Sequence, residues 1–413
     1  MTIEELNKYK KILILGYGIE GKATEKFLQT FCPDVEILIA DQIDGPDYLH
    51  KQDEVDLVIK SPGVSRKLVY KPYTTATNIF FANTHMTTIG VTGTKGKSTL
   101  CSLLQTIFEV AGKKSFLLGN IGNPMIESVE QEYEKGSIAI VELSSYQLED
   151  IKYSPHVACL LNIFTETHNH DSYKAYFEAK SNITKYQTEK DYFVYNPSFK
   201  EIQEVARKTK AKTIPISKAI PFNVSNSTLI GNHNVTAVCT AYAIAKIFDV
   251  SESNIEAGVA TYKGLPHRLQ YVGKFKGITF YDDSAANNPA ATLGALEALT
   301  VVDTLFLGGQ DRGFDFAPVV SALKENNVKT LILFPNTQEI LLKLLHQSGQ
   351  TSMHILTTSS MQDAVEFAFA HTPTEGVCLL SPGAPSYLMY KNFKERGDDF
   401  VQKITTHETH KNT

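Results

Sequence analysis

Gly93-Thr94-Lys95-Gly96-Lys97-Ser98-Thr99 gathers two glycines, two lysines and three hydroxyl side chains into seven residues. An apolar run from Thr88 to Val91 precedes it, and Leu100, Leu103, Leu104, Ile107 and Phe108 follow at helical spacing. A strand–loop–helix of this kind aims backbone N–H groups and a helix N-terminus at bound phosphate. Lys97 then reaches the outer phosphates, and Ser98 or Thr99 offers a hydroxyl to Mg²⁺. The spacing G-x-x-G-K-S-T is shorter than the common G-x4-G-K-[ST] loop. ATP is therefore the expected ligand, and the shortened loop narrows which kind of ATP user this is.

Glu142 ends the apolar run Ile138 to Val141. A carboxylate at the end of a buried strand is costly unless a cation compensates it. Parallel strands present ligand-facing groups at their C-terminal ends, so Mg²⁺ is the expected cation. A structural salt bridge is the plainer reading of the same residue. His168 and His170 follow the apolar strand Val157–Ile163 and read equally as metal ligands or as part of a solvated loop. Tyr173, Tyr176, Phe177 and Lys180 share one face of a helix, which sets Lys180 on an apolar stripe. Desolvation there favours a neutral amine, which can add CO2 to become a carbamate fit for a second metal ion. A lysine snorkelling to solvent satisfies the same periodicity.

The elements that must position these groups form three α/β blocks, expected as domains 1–84, 85–263 and 264–413. The first has strand Lys11–Leu15, the turn Gly16-Tyr17-Gly18-Ile19-Glu20-Gly21, a helix, and strands Val35–Asp41 and Val55–Ile59. The second holds the phosphate loop and strands Ile138–Leu143 and Val157–Ile163. The third holds strands Thr304–Leu307, Thr330–Phe334 and Gly376–Leu380. Unbroken apolar strands alternating with helices predict parallel sheets covered on both faces. The expected fold is α/β: a Rossmann-like N-terminal domain, a central P-loop ATPase-type sheet and a C-terminal Rossmann-like domain. Gly16-x-Gly18-x-x-Gly21, with Asp41 twenty residues beyond Gly21, meets the dinucleotide fingerprint. Alone it points to NAD. A second phosphate loop and the absence of a recognisable hydride-transfer pair argue for another diphosphate, such as UDP.

Hydrophobic residues at 42% and charged residues at 21% describe an ordinary globular chain, and a net charge of −5 gives no support for nucleic-acid binding. Cys32, Cys101, Cys159, Cys239 and Cys378 are scattered without a C-x-x-C pair, as expected of buried free thiols. The short apolar run Ile12 to Leu15 is too brief for a signal or membrane span. A cytoplasmic chain with small-molecule partners and no nucleic acid or membrane is expected.

With these pieces in line, the chain resembles the Mur ligase family over nearly its whole length. The resemblance rests on the phosphate loop, Gly119-Asn120-Ile121-Gly122, Glu142-Leu143-Ser144-Ser145 and Gly231-x-His233-Asn234. It continues through Leu265-Pro266-His267-Arg268, Asp282-Asp283-Ser284 and Gly308-Gly309-Gln310-Asp311-Arg312-Gly313. Ser61-Pro62-Gly63-Val64 and the stretch from Ser381-Pro382 to Lys391-Asn392-Phe393 and Arg396-Gly397 are most similar to the member that adds glutamate to UDP-N-acetylmuramoyl-L-alanine. Related ligases, including folylpolyglutamate synthetases, share several of the other motifs.

The resemblance implies a monomeric, ATP-dependent ligase that works through an acyl phosphate. Gly93 to Thr99, with Asn234, would bind ATP. Ser98 or Thr99 and Glu142 would serve one Mg²⁺; His168, or else His170, and a carbamylated Lys180 would serve a second. Arg268 would contact the γ-phosphate and Asp283 the ribose or a metal-bound water. Gly18, Ile19, Glu20, Asp41, Ser61, Gly63 and Asn120 would hold the UDP-sugar. Asn287, Arg312, Ser386 and Phe393 would hold the incoming glutamate. Ala285 and Asn287 stand where the family often has lysine and threonine, and Ala237 where it often has asparagine. These departures fall on amino-acid and adenine contacts and leave the ATP chemistry intact.

Overall fold

The computed structural model describes residues 1–164, 170–217, 219–222, 232–349 and 352–409. The chain divides into two compact units, one reaching Tyr262 and the other starting at Lys263.

The first unit carries two sheets. In the N-terminal one, β1 (Lys11–Leu15), β2 (Glu36–Ala40), β3 (Leu57–Lys60) and β4 (Tyr73–Thr74) lie parallel in the order β2-β1-β3-β4. Ala23, Phe27 and Leu28 of the helix Ile19–Phe31 pack on Ile12, Ile14, Leu57 and Ile59. The turn into that helix needs glycine twice. Gly16 takes φ +92°, and any side chain on Gly21 would collide with the Gly16 carbonyl.

The second sheet is β5 (Thr87–Thr92), β6 (Ser115–Gly119), β7 (Ile138–Glu142), β8 (Val157–Leu160), β9 (Tyr192–Tyr195) and β10 (Lys212–Pro215). All are parallel, in the order β10-β9-β8-β5-β7-β6. Strand β5 is central, with β7 on one side and β8 on the other. The loop after β5 therefore opens where strand order reverses, the position at which doubly wound sheets bind ligands. Its helix, Lys97–Val110, buries Leu100, Leu103, Leu104, Ile107 and Phe108, the helical face legible in the sequence.

The second unit holds β11 (Gln270–Phe275), β12 (Ile278–Asp282), β13 (Thr304–Gly308), β14 (Thr330–Phe334), β15 (His354–Thr357) and β16 (Val377–Leu380). Their order is β11-β12-β16-β13-β14-β15. The sequence predicts a wholly parallel sheet, but β11 runs antiparallel to β12. Lys276 and Gly277 connect them at φ +49° and +79°, the doubly left-handed geometry of a two-residue hairpin. A two-residue link cannot make a parallel crossover.

Among the described residues no helix is long and apolar enough to cross a membrane. All five cysteines are buried, and none forms a disulfide.

Within the first unit an ion pair ties the turn after β3 to the segment after β7. Lys60, 1% exposed, lies 2.9 Å from Asp150, 4% exposed. Lys60 also donates to the Val64 carbonyl at 3.0 Å, and the Tyr73 hydroxyl donates to Asp150 at 2.8 Å. Burial and the Asp150 charge push the Tyr73 phenol up to about 12. Lys60→Ala strands a buried carboxylate, and a loss of about 3–5 kcal/mol is expected. Denaturant unfolding of mutant and parent measures it; an unchanged midpoint would assign the pair no structural role.

Candidate active site

The phosphate loop is built on two glycines in conformations that other residues resist: φ is +153° at Gly93 and +82° at Gly96. Gly96 caps the helix Lys97–Val110, so the helix N-terminus opens onto the loop. Lys97 extends along it, with Nζ donating to the carbonyls of Gly93 at 3.0 Å and Thr94 at 3.2 Å. Ser98 is buried and Thr99 half-buried.

Lys180 meets the same loop from the helix Tyr173–Ser181. Only 2% exposed, its Nζ donates to the Gly93 carbonyl at 3.0 Å and lies 4.7 Å from the centre of the Tyr176 ring. The buried reading of its helix face is the right one, and snorkelling is excluded. The Tyr176 hydroxyl in turn donates to Thr94 Oγ1 at 3.0 Å.

Glu142, at the end of β7, pairs with Val91 of β5 and Gly119 of β6, so its backbone lies beside the loop's entry. It is 5% exposed, and Oε2 has no hydrogen-bond partner among the described residues. Burying a carboxylate oxygen without a hydrogen bond is costly unless a cation lies near. A divalent cation fits this unmet demand, and with Ser98 and Thr99 it would find hard oxygen donors. Among the described residues no three His, Cys, Asp or Glu side chains cluster to hold a metal. A Mg²⁺ bound partly through phosphate oxygens needs no such cluster. The Asn120 N–H donates to the Glu142 carbonyl at 3.2 Å, which fixes Asn120 at the same edge. Gly119 has to be glycine there, because a Cβ would lie 2.5 Å from that carbonyl oxygen. Burial, with Glu142 adding to it, pushes the neighbouring Cys101 thiol well up and keeps it inert.

Asn162, to which the sequence reading gives no role, is the clamp of this loop. Its Oδ1 accepts from the N–H of Thr94 at 3.0 Å and of Lys95 at 2.9 Å, and its Nδ2 donates to the Lys95 carbonyl at 2.9 Å. The available signal was its position just beyond a buried parallel strand. His168 lies outside the described residues, as do the side chains at the start of the helix Asn232–Ile247, Asn234 among them. His170 stacks on Tyr146, with ring centres 5.0 Å apart, and lies 5.5 Å from the Tyr176 ring.

A second group of the expected residues surrounds the glycine turn after β1. Ser61 Oγ donates to the Gly16 carbonyl at 2.6 Å. Asp41 accepts the Tyr17 N–H at 2.5 Å and the Ile43 N–H at 3.3 Å, so its carboxylate shapes the turn. Gly18 and Ile19 are exposed, and Gly63 leads a turn with open space where a Cβ would be. Glu20 lies in the first helical turn, and Gln147 Nε2 donates to its Oε2 at 3.4 Å. Burial pushes the Glu20 carboxyl up to about 7.

The remaining residues belong to the second unit. Arg268 is bracketed by residues that two adjacent aspartates hold. His267 Nδ1 lies 2.7 Å from Asp282, and the Leu269 N–H donates to Asp283 at 3.1 Å. Hydrogen bonding to Asp282 raises the His267 imidazole above its ordinary value. Burial pushes Asp283 up to about 7 against the opposing effect of the Ser381 hydroxyl, which donates at 2.7 Å. Both oxygens of Asp283 thus serve the protein itself. Arg396, also without an assigned role in the sequence, is 2% exposed and bonds Ser284 Oγ at 3.0 Å, Ser284 O at 2.7 Å and Ala384 O at 3.1 Å. It ties the segment of Asn287 to the segment of Ser386. Ser386 lines a small cavity with Gly308, Gly309 and Arg396, and the Phe393 carbonyl accepts the Ser284 hydroxyl at 2.8 Å. Asn287 and Arg312 are exposed, the latter 5.9 Å from the Tyr387 ring centre.

Comparison with known proteins agrees with this geometry. Residues 91–256 match the Mur ligase middle domain, and residues 267–384 match the Mur ligase glutamate ligase domain. The UDP-N-acetylmuramoylalanine–D-glutamate ligase of Ligilactobacillus salivarius is 32% identical, with 98% of each chain covered. The Bacillus cereus enzyme of that name is 31% identical, over 98% of this chain and 99% of its own. Among solved structures, UDP-N-acetylmuramate–alanine ligase MurC from Thermotoga maritima superposes with a TM-score of 0.60. At 14% identity over 96% of this chain and 99% of that one, it shares the fold.

Asn162→Ala removes all three side-chain bonds that set the loop, and water can satisfy the freed groups. The expected result is about tenfold weaker ATP binding by calorimetry, corresponding to loss of one or two modest hydrogen bonds. Unchanged ATP affinity would show that the loop holds its shape without the clamp.

Proposed function

Because the chain belongs to the Mur ligase family of ATP-dependent amide ligases, we propose that it adds D-glutamate to UDP-N-acetylmuramoyl-L-alanine in the cytoplasm. The observation that carries this reading is a phosphate loop bordered by a buried carboxylate, one oxygen of which has no hydrogen-bond partner among the described residues. Full-length similarity to ligases of that name supports the acceptor and the amino acid.

A carboxylate is a poor electrophile, because its charge is delocalised over two oxygens. Phosphorylation by ATP gives an acyl phosphate and ADP. The amine of glutamate then attacks, and collapse of the tetrahedral adduct releases phosphate and leaves an amide. The protein has mainly to position the reactants and neutralise charge. Backbone N–H groups at the helix N-terminus, from Gly96 to Thr99, cradle the phosphates, and Lys97 turns from the loop carbonyls to the outer phosphate oxygens. Arg268 is proposed for the γ-phosphate, and Asp283 and Asn234 for the nucleoside. Ser98, Thr99 and Glu142 would hold Mg²⁺, and His168 or His170 with a carbamylated Lys180 would hold a second ion. Bound there, Mg²⁺ would neutralise phosphate charge.

The same reading assigns residues 1–84 to the UDP-sugar, 85–263 to ATP and 264–413 to the amino acid. The turn residues Gly18, Ile19, Glu20, Asp41, Ser61 and Gly63, with Asn120, form the acceptor site. Asn287, Arg312, Ser386 and Phe393 form the glutamate site. The chain is proposed to act as a monomer. Lys180 suits carbamate formation because burial at 2% shields an adduct from water.

Phosphate release with UDP-N-acetylmuramoyl-L-alanine and ATP should require D-glutamate, and L-glutamate should give little. Equal rates, or none with either, would overturn the assignment. Lys97→Ala should abolish turnover yet bind the UDP-sugar; turnover that survives would remove Lys97 from the chemistry. Lys180→Ala should also be inactive, with activity partly restored by short carboxylates. Lack of rescue would sink the carbamate while leaving the ligase standing.

A further inference from the structure

The turn proposed to hold a diphosphate contains a residue that an anion site would ordinarily avoid. Glu20 follows Gly16-Tyr17-Gly18 in the first turn of the helix Ile19–Phe31, at the C-terminal ends of the parallel strands. Gln147 supplies its Oε2 with one long hydrogen bond of 3.4 Å. Its Oε1 is buried and has no hydrogen-bond partner among the described residues.

The charges around it are committed elsewhere. Lys60, whose field reaches Glu20, is paired with Asp150 at 2.9 Å. Asp41 accepts the Tyr17 N–H of the turn and the Ile43 N–H of its own segment, and Glu25 accepts the Tyr17 hydroxyl. Lys22 stands 5.9 Å from the Tyr17 ring centre. Beyond Gln147, Glu149 pairs with Arg66 at 3.3 Å and His170 stacks on Tyr146.

Two anions sharing one desolvated turn repel strongly, and a proton is the smallest remedy. A protonated carboxyl also turns an acceptor into a donor, which a phosphate oxygen can use. We propose that Glu20 binds the acceptor's diphosphate as a neutral carboxyl, so that acceptor binding takes up one proton. This rests on the reading of the glycine turn as the acceptor site. Burial already pushes the free carboxyl up to about 7, so the proton is available near neutrality. The sign follows from linkage: the complex holds the extra proton, so affinity falls as pH rises above the free value, about tenfold per unit. The diphosphate of a sugar nucleotide is a diester and does not titrate in this range.

Calorimetric titration with UDP-N-acetylmuramoyl-L-alanine, in buffers of contrasting ionisation enthalpy, reads both affinity and proton uptake. The expected result is about 30-fold weaker binding at about pH 8.5 than at about pH 6, with close to one proton taken up at the higher pH. Glu20→Gln, a neutral isostere, should bind with a flat profile and take up no proton. Its ATP affinity should match the parent's, which reports that it is folded. A flat parent profile, or a slope that persists in Glu20→Gln, would overturn the inference alone. Absence of acceptor binding by both proteins at both pH values, with ATP binding intact, would overturn the acceptor site and the inference together.

Discussion

A carboxylate oxygen removed from water and denied a hydrogen bond demands positive charge, and Glu142 is the residue on which that demand falls. Its position is dictated by topology. A parallel strand beside β5 ends where the phosphate loop begins, so the acid is buried by the sheet and delivered to the ligand edge by the same register. Lys97 and Lys180 converge on the Gly93 carbonyl from two different helices. The N-terminus of the helix Lys97–Val110 opens onto the same loop, which Glu142 borders. ATP, the nucleotide that Mur ligases use, fits a loop of this kind.

The two glycine-dependent turns of the first unit solve different problems. The turn after β1 uses Gly16 and Gly21 to bring a helix against a strand, and Asp41 holds its backbone at Tyr17. The loop after β5 uses Gly93 and Gly96 for backbone conformation and is steadied from outside by Asn162. In the second unit, buried Arg396 performs the comparable service of joining two segments through carbonyl oxygens.

Much of this was legible in the sequence because it depends on local pattern. Apolar runs gave most of the central strands to within a residue or two, and the helical stripe placed Lys180 on a buried face. The chemistry of the phosphate loop could be read from residue types alone. What escaped depends on partners distant in sequence. Nothing near Asn162 reveals that it bonds residues 67 and 68 positions away. Nothing in the C-terminal helix reveals that Arg396 meets Ser284. The antiparallel edge was missed although Lys276-Gly277 marks it, because an alternating pattern in β11 is weak beside the solid apolar runs. That Asp41 and Asp283 also brace neighbouring backbone and side chains is likewise a tertiary fact.

The five cysteines have a consequence for how the protein meets its surroundings. Each is buried, and for Cys101, Cys159 and Cys378 burial raises the thiol far above neutrality. Peroxide and electrophilic reagents attack the thiolate, and these sites do not supply it while the chain stays folded. Cys101 lies one helical turn behind the phosphate loop, yet oxidant stress passes that loop by.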